Sequence, residues 1–199
     1  MSSAAESAEL AALIRELGAP ELPNRERAAA EIFRRGRELA RSPVAQWLSD
    51  PEFAANFVLD ASQFPETTVG LAVTPQTFER IRAANGSPRL ADIPPDQDAK
   101  EFELHFARGV RLDILTTRAP EATGAIARHL QKFGEGIQQV ELFTRNVDRA
   151  TEILCSRFGV QAIYPATRAG ADSTRVNFFL AATEKGKILI ELVEQAPPQ

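Results

Sequence analysis

Apolar side chains recur at helical spacing through the first 60 or so residues of the chain. Between residues 8 and 17 they return every three or four positions until Gly18, which predicts a helix that ends at this glycine. Asn24 precedes a longer amphipathic segment and is predicted to cap its helix. The apolar stripe of this second helix consists of Ala29, Ile32, Phe33, Gly36, Leu39 and Ala40. We therefore assign residues 1–62 to an α-helical N-terminal extension.

Two further helices are predicted to start in this extension, at Ser42-Pro43 and at Asp50-Pro51. In each pair a capping side chain precedes a proline, which is well suited to the first helical position. Glutamates are interleaved with the arginines on the polar face of the longer helix. This arrangement indicates a solvated, ion-paired surface rather than a binding site for anions. The arginines are Arg25, Arg34, Arg35, Arg37 and Arg41.

From residue 67 the pattern alternates between strands and helices. The predicted elements are a strand over 67–74, a helix over 75–84, a loop over 87–99, strands over 101–106 and 110–116, and a helix over 119–133. The same order then repeats as a strand over 137–144, a helix over 147–158, and strands near 161–164, over 175–180 and over 188–194. Each half ends in a strand that contains an acidic residue, Asp113 in the first and Glu191 in the second. An internal duplication explains this order.

The duplication predicts an α+β fold of two tandem βαβββ modules behind the helical extension. We place the paired modules at residues 65–199. Within that domain, module one covers 65–118, a linking helix covers 119–133, and module two covers 134–195.

Composition and charge exclude several classes of protein. The net charge of −4 over 199 residues argues against a general nucleic-acid-binding protein. No apolar run approaches the roughly 18–20 residues that a membrane span needs, and the N-terminus lacks the pattern of a signal peptide. The single cysteine, Cys155, cannot form an intrachain disulfide, which favours a reducing cytoplasm.

Glu191 is the most unusual polar position, because it lies between Ile190 and Leu192 in an otherwise apolar strand. A carboxylate buried in such a strand is costly unless a metal ion, a ligand or an arginine compensates it. The chain has two histidines, His105 and His129. His105 alternates with glutamates in its strand, so a metal role and a partly exposed histidine both stay open, whereas His129 is predicted at the edge of a helix stripe.

Three motifs in the last third of the chain suggest a family. They are Gly-Glu-Gly-Ile-Gln-Gln at residues 134–139, Arg-Val-Asn-Phe-Phe-Leu at 175–180 and Leu-Ile-Glu-Leu-Val-Glu at 189–194. With the two modules, they resemble the glyoxalase / vicinal oxygen chelate superfamily, and this segment is most similar to the methylmalonyl-CoA epimerases. Module one is a weaker match, and the helical extension has no counterpart in the resemblance.

The resemblance implies a cup between the paired modules, where histidines and carboxylates on the first and last strands hold a divalent metal. The corresponding positions here are Thr68 and Gln139 on the first strands, and Asp113 and Glu191 on the last strands. Glu191 and Asp113 are therefore the candidate metal ligands. Thr68 and Gln139 replace imidazoles, which bind transition metals far better than a hydroxyl or an amide does. The histidine ligation of the family is thus lost.

Glu141 and Arg111 complete the set of candidate ligand-binding residues, since Glu141 shares a strand face with Gln139, and Arg111 shares one with Asp113. Oxygen ligands of this kind suit Mg²⁺, Ca²⁺ or Mn²⁺ better than Zn²⁺. The alternative is that the carboxylates are satisfied internally, by Arg111 and a hydroxyl, without any metal. The cofactor is accordingly either none or a divalent metal.

Three functions follow as hypotheses. The first is a protein with an altered metal site that binds a small carboxylate- or acyl-type ligand in the cup. The second is an isomerase or lyase similar to methylmalonyl-CoA epimerase, with Glu141 or Glu191 as catalytic base and an oxygen-ligated metal. The third is an interaction module in which the helical extension docks onto the barrel or a second chain. A small molecule is the expected partner, and a homodimer is left open.

Overall fold

The computed structural model describes residues 3–119, 123–184 and 186–195. Its helices are α1 (Ser3–Glu16), α2 (Leu22–Trp47), α3 (Pro51–Ala54), α4 (Pro75–Ala84), α5 (Ala125–Phe133) and α6 (Val147–Arg157). Its strands are β1 (Thr67–Ala72), β2 (Lys100–Phe106), β3 (Val110–Thr116), β4 (Gly136–Phe143), β5 (Arg168–Ala169), β6 (Arg175–Thr183) and β7 (Gly186–Glu194). The α+β class and the repeated order of elements are confirmed.

The chain divides into two compact units, and each combines helices of the extension with strands of one predicted module. Unit 1 consists of Met1–Arg35 and Val69–Gln138, and unit 2 consists of Gly36–Thr68 and Gln139–Gln199. Helix α2 contributes residues to both units.

In unit 1, strand β3 pairs parallel with β1 and antiparallel with β2. Because side chains alternate across a strand, one face of these strands carries the apolar residues. Helix α1, the first part of α2 and helix α4 cover that face. The main buried members of this core are Ile14, Leu17, Ile32, Val69, Leu71, Phe78, Phe102, Leu112 and Ile114. The extension therefore supplies part of the core of unit 1.

In unit 2 the strand order is β4-β7-β6-β5. Strand β4 is parallel to β7, and the other two pairs are antiparallel. Helix α6 packs on β6 and β7, and the end of α2 places the Trp47 ring edge-on against Phe53 and Phe179. The buried residues on this side include Val44, Val140, Leu142, Ile153, Leu154, Phe179, Ile190 and Leu192.

Most predicted boundaries lie within a few residues of the observed ones. The cap predicted at Asn24 is wrong, because α2 already begins at Leu22, whereas the cap at Asp50 is confirmed. Its carboxylate accepts the N–H groups of Glu52 and Phe53 at 2.9 and 3.0 Å. The helix start predicted at Ser42-Pro43 is wrong, since α2 runs through Pro43 without a break. The apolar stripe continues past the proline with Val44 and Trp47, both buried. Burial of this stripe outweighs the backbone hydrogen bond that the proline cannot make.

The strand predicted near residues 161–164 is also wrong. This segment forms one isolated bridge, Ala162 to Phe179, and Ile163 donates its N–H to the Phe178 carbonyl. Pro165 follows at once, and a proline cannot extend the ladder because it has no N–H. The short strand β5 lies instead between the strands predicted near 161–164 and over 175–180, where the sequence predicted no strand. Helix α5 begins at Ala125 rather than at 119, and residues 120–122 of the predicted helix lie outside the described residues.

The Gly134-Glu135-Gly136 turn has a structural role in unit 1. Gly134 has a φ of +75°, a conformation that glycine adopts without strain. The Glu135 carboxylate accepts the N–H of Thr74 at 2.9 Å and its hydroxyl at 2.6 Å. Thr74 is the N-cap of α4, so the turn holds the start of this helix. Burial raises the pKa of Glu135, but the hydrogen bonds from Thr74 and Thr77 and the charge of Arg80 outweigh it, and the net pKa is lowered.

We expect Glu135→Gln to destabilise the protein by about 1 kcal/mol at neutral pH, because the charge-assisted hydrogen bonds that its carboxylate accepts become neutral ones. A carboxylate whose folded pKa is depressed stabilises the native state above its unfolded pKa. That stability is lost as the pH falls through the folded pKa. The difference between wild type and variant, measured by urea unfolding, should therefore shrink below about pH 4.5, the ordinary value for this group. Glu184→Gln, at an exposed site, is the control, and an equal loss in both variants would contradict the role of Glu135.

Candidate functional site

Unit 2 carries a polar group on the sheet face opposite its core. Val140 and Leu142 of β4 lie on the core side with Ile190 and Leu192 of β7. The alternate positions therefore share the other face. We call this the Glu191 face and define it by Gln139, Glu141, Phe178, Leu180, Leu189 and Glu191.

Gln139 connects the two carboxylates of this face. Its Nε2 donates to Glu191 Oε2 at 2.6 Å and to Glu141 Oε1 at 3.1 Å. Glu141 and Glu191 are neighbours in the parallel ladder of β4 and β7. Gln139 and Glu191 are buried, at 6% and 8% exposure, so the hydrogen bond between them forms largely out of water, whereas the bond to Glu141 is only partly buried. A single amide thus directs both of its N–H groups at two adjacent carboxylates.

An aromatic wall lies beside the carboxylates. Phe178 of β6 is directly opposite Glu191 of β7, so both side chains are on one face. The Tyr164 ring meets the Phe178 ring edge-on at 5.9 Å between centroids. The Arg168 guanidinium stacks over the other ring of the pair, 4.6 Å from the Tyr164 centroid. The polar group is therefore bordered by aromatic and aliphatic surface.

Thr68 belongs to the same unit and is 1% exposed in β1. The segment before it is tied to β4, since the N–H of Phe143 donates to the carbonyl of Glu66 at 3.1 Å.

Asp113 and Arg111 lie in strand β3 of unit 1, on the face opposite its core. In the register with β2, Asp113 faces Glu103 and Arg111 faces His105. Asp113 is 8% exposed. The structure thus places Gln139, Glu141 and Glu191 together in unit 2, and Arg111 and Asp113 together in unit 1. Their roles as ligand-binding or catalytic residues stay predictions.

The two histidines have ordinary structural surroundings. His105 Nε2 lies 2.9 Å from a Glu103 carboxylate oxygen, with its side chain 63% exposed. His129 packs against the ring of Phe133, and burial lowers its pKa. Among the described residues, no group of three or more His, Cys, Asp or Glu side chains is arranged to hold a metal ion. No helix in the described part of the chain has the length and apolar character that a membrane span requires.

The sequence pattern does not identify Phe178, Tyr164 and Ile163 as neighbours of the site. The run at residues 175–180 has apolar residues on both faces, so its pattern does not reveal which of them share a face with Glu191. The antiparallel register with β7 decides it, and that register is a tertiary property. The sequence does place Phe178 in a predicted strand that comes just before the strand containing Glu191. Since side chains alternate along a strand, Phe178 was a candidate for the same face.

Solved structures provide the comparison with known proteins. Methylmalonyl-CoA epimerase from Mycobacterium tuberculosis superposes with a TM-score of 0.54 at 30% identity, covering 65% of this chain and 87% of that one. A hypothetical protein from Bacillus halodurans C-125 gives 0.54 at 23% identity over 66% and 94%. A Streptomyces coelicolor methylmalonyl-CoA epimerase variant in complex with 2-nitronate-propionyl-CoA gives 0.53 at 21% over 71% and 99%. No family model matches the sequence, and the comparison with curated proteins also found no match.

The fold and the first of these similarities establish the class of protein. The chain belongs to the glyoxalase / vicinal oxygen chelate superfamily. Within it, the similarity is to methylmalonyl-CoA epimerase.

The arrangement of Gln139 does not fit the divalent metal that this superfamily implies. An amide N–H group is a hydrogen-bond donor and not a metal ligand, and its two hydrogens point at the carboxylates that a metal would need. Glu191 and Glu141 are therefore already bridged by a donor in the position where the resemblance predicts an imidazole. We derive no chemistry through a metal at this face.

We expect Gln139 and Glu191 to be energetically coupled. In a double-mutant cycle of Gln139→Ala and Glu191→Gln, the two losses of stability should fail to add by about 0.5–3 kcal/mol, because the residues share one buried hydrogen bond. Chemical denaturation of the four proteins measures the coupling. A parallel cycle with Glu194→Gln is the control, since Glu194 bonds to Val147 and Arg175 instead. Additivity at both pairs would show that the Gln139 bridge is absent in solution.

Proposed function

We propose that this protein binds a small acyl-type ligand on the Glu191 face without a divalent metal. The observation that carries the proposal is the Gln139 amide, whose Nε2 donates to both Glu141 and Glu191. An imidazole at this position would leave both carboxylates available to a cation, whereas the amide satisfies part of their hydrogen-bonding capacity. The acyl class of ligand is supported by the 30% identical relative, an epimerase of an acyl-CoA, and by a relative solved with an acyl-CoA analogue.

The aromatic wall supports a binding role as well. Ligand sites in proteins combine mostly apolar surface with a few placed polar groups, and the Glu191 face has this composition, with Phe178 beside Glu191. A cytoplasmic location and a homodimer remain expectations from the sequence. The proposal includes them, but it does not depend on them.

The metal independence can be tested by restoring the imidazoles. We expect wild-type protein to retain no stoichiometric Mg²⁺, Mn²⁺, Co²⁺, Ni²⁺ or Zn²⁺ after dialysis, measured by elemental analysis. Thr68→His with Gln139→His should bind Co²⁺ or Zn²⁺, because imidazole nitrogen suits these metals far better than an amide does. Gln138→His is the matched control, since Gln138 immediately precedes Gln139 in β4 and its side chain lies on the opposite face of the strand. Stoichiometric metal in the wild type that Glu191→Ala removes would contradict the proposal.

A second function is favoured by the adjacency of Glu141 and Glu191 and by the epimerase relative. A carboxylate positioned next to a carbonyl could remove the neighbouring proton as a general base. Such a base contributes about 10²–10⁴-fold to a rate.

The two functions differ in deuterium exchange from D₂O into methylmalonyl-CoA, followed by mass spectrometry. A binding protein should show no exchange above the uncatalysed rate, with or without added divalent metal. Exchange that drops by about 10²–10⁴-fold in Glu191→Gln or Glu141→Gln would instead establish the epimerase-like function. Glu194→Gln, outside the Glu191 face, should leave any exchange unchanged.

A further inference from the structure

A continuous row of side chains crosses the sheet of unit 2 at the candidate site. The ladder places Glu141 beside Glu191 and Glu191 beside Phe178. The row continues to Ile163, whose N–H donates to the Phe178 carbonyl at 2.8 Å. Neighbouring strands are about 4.8 Å apart, so the row spans roughly 14 Å. One end is acidic and the other end is apolar.

The apolar end is exposed to a degree that is unusual for large hydrophobic residues. Ile163 is 50% exposed and Leu180 is 49% exposed. Leu180 lies opposite Leu189, one row away from the pair formed by Phe178 and Glu191. Scattered single apolar residues on a surface need no explanation, but a contiguous group beside a polar site marks a binding surface. Here the group is continuous with the proposed ligand site.

We propose that the apolar end, formed by Phe178, Ile163, Leu180 and Leu189, binds an uncharged branched or aromatic acyl group. This inference rests on the proposed function and names its ligand more narrowly, as the thioester of such an acid. The two glutamates at the acidic end discriminate between charged and uncharged acyl groups. A methylmalonyl group carries its own carboxylate, which two adjacent glutamates would repel, whereas an uncharged acyl group avoids this repulsion and buries apolar area against Phe178.

Arg168, on the neighbouring strand, places a positive charge beside this surface. It lies opposite Val176, two residues before Phe178, and its guanidinium is stacked on Tyr164. In the proposal it remains with Tyr164 and holds the ring against Phe178. If it instead receives a carboxylate of the ligand, the preference among acyl groups reverses. The experiment can therefore separate the two arrangements.

The test is calorimetric binding of propionyl-, isovaleryl-, phenylacetyl- and methylmalonyl-CoA, with CoA alone as the reference. Isovaleryl-CoA should bind about tenfold more tightly than propionyl-CoA, since two buried methylene groups give roughly this factor. Methylmalonyl-CoA should bind more weakly than either. Phe178→Ala with Leu180→Ala should remove the preference for the larger groups. Val58→Ala, at another exposed hydrophobic residue of unit 2, is the control and should preserve it.

Other outcomes would overturn the inference in distinguishable ways. Equal affinities for all four thioesters would remove it and leave the proposed function standing. Tightest binding of methylmalonyl-CoA, lost in Arg168→Gln, would show that the arginine takes a ligand carboxylate. A dimer that Ile163→Ser or Leu180→Ser dissociates would show that a second copy covers the surface. Absence of binding by every thioester would overturn both this inference and the acyl ligand of the proposed function.

Discussion

The alternation of side chains along β4, β6 and β7 is the constraint on which the rest of unit 2 depends. The residues that face the core include Val140, Phe179 and Ile190, all fully buried under the helices. That burial determines the register, because a slip by one residue would exchange the faces and expose the core. The alternate side chains of these strands are then necessarily on the opposite face of the sheet. Gln139, Glu141, Glu191 and Phe178 are brought together because their apolar neighbours must be buried.

This arrangement costs stability at Glu191, which is 8% exposed beside a second carboxylate. The Gln139 amide offsets part of that cost with a hydrogen bond of 2.6 Å. An apolar side chain at these positions would avoid the cost altogether, since well-packed hydrophobic groups often replace buried polar groups without loss. A buried carboxylate with a second, half-buried carboxylate beside it, next to exposed apolar surface, is therefore better explained by ligand binding than by the needs of folding.

The sequence predicts local features well and tertiary ones poorly. Asp50 before Pro51 marks a helix start through chemistry that lies within four residues, and this start and the helix predicted from residue 75 are both confirmed. At Pro43 the same signal misleads, because burial of Val44 and Trp47 sustains α2 through the proline. The face that Phe178 shares with Glu191 depends on the pairing of two strands. For Gln139, the family pattern shows that an imidazole is missing, but only the geometry shows which groups the amide contacts.

Membership of a superfamily narrows the function of this chain only through the residues that remain at its site. The fold accommodates different chemistry on one scaffold, since function resides in particular side chains rather than in the topology. By the sequence resemblance, Glu191 corresponds to the last-strand carboxylate of the family, and Thr68 and Gln139 correspond to its first-strand imidazoles. A side chain without a hydrogen-bond donor at position 139 would give neither the Glu141 nor the Glu191 carboxylate a hydrogen bond from this position. The amide instead donates to both, and this bridge is the feature of the site that supports the proposed binding of a ligand without a metal.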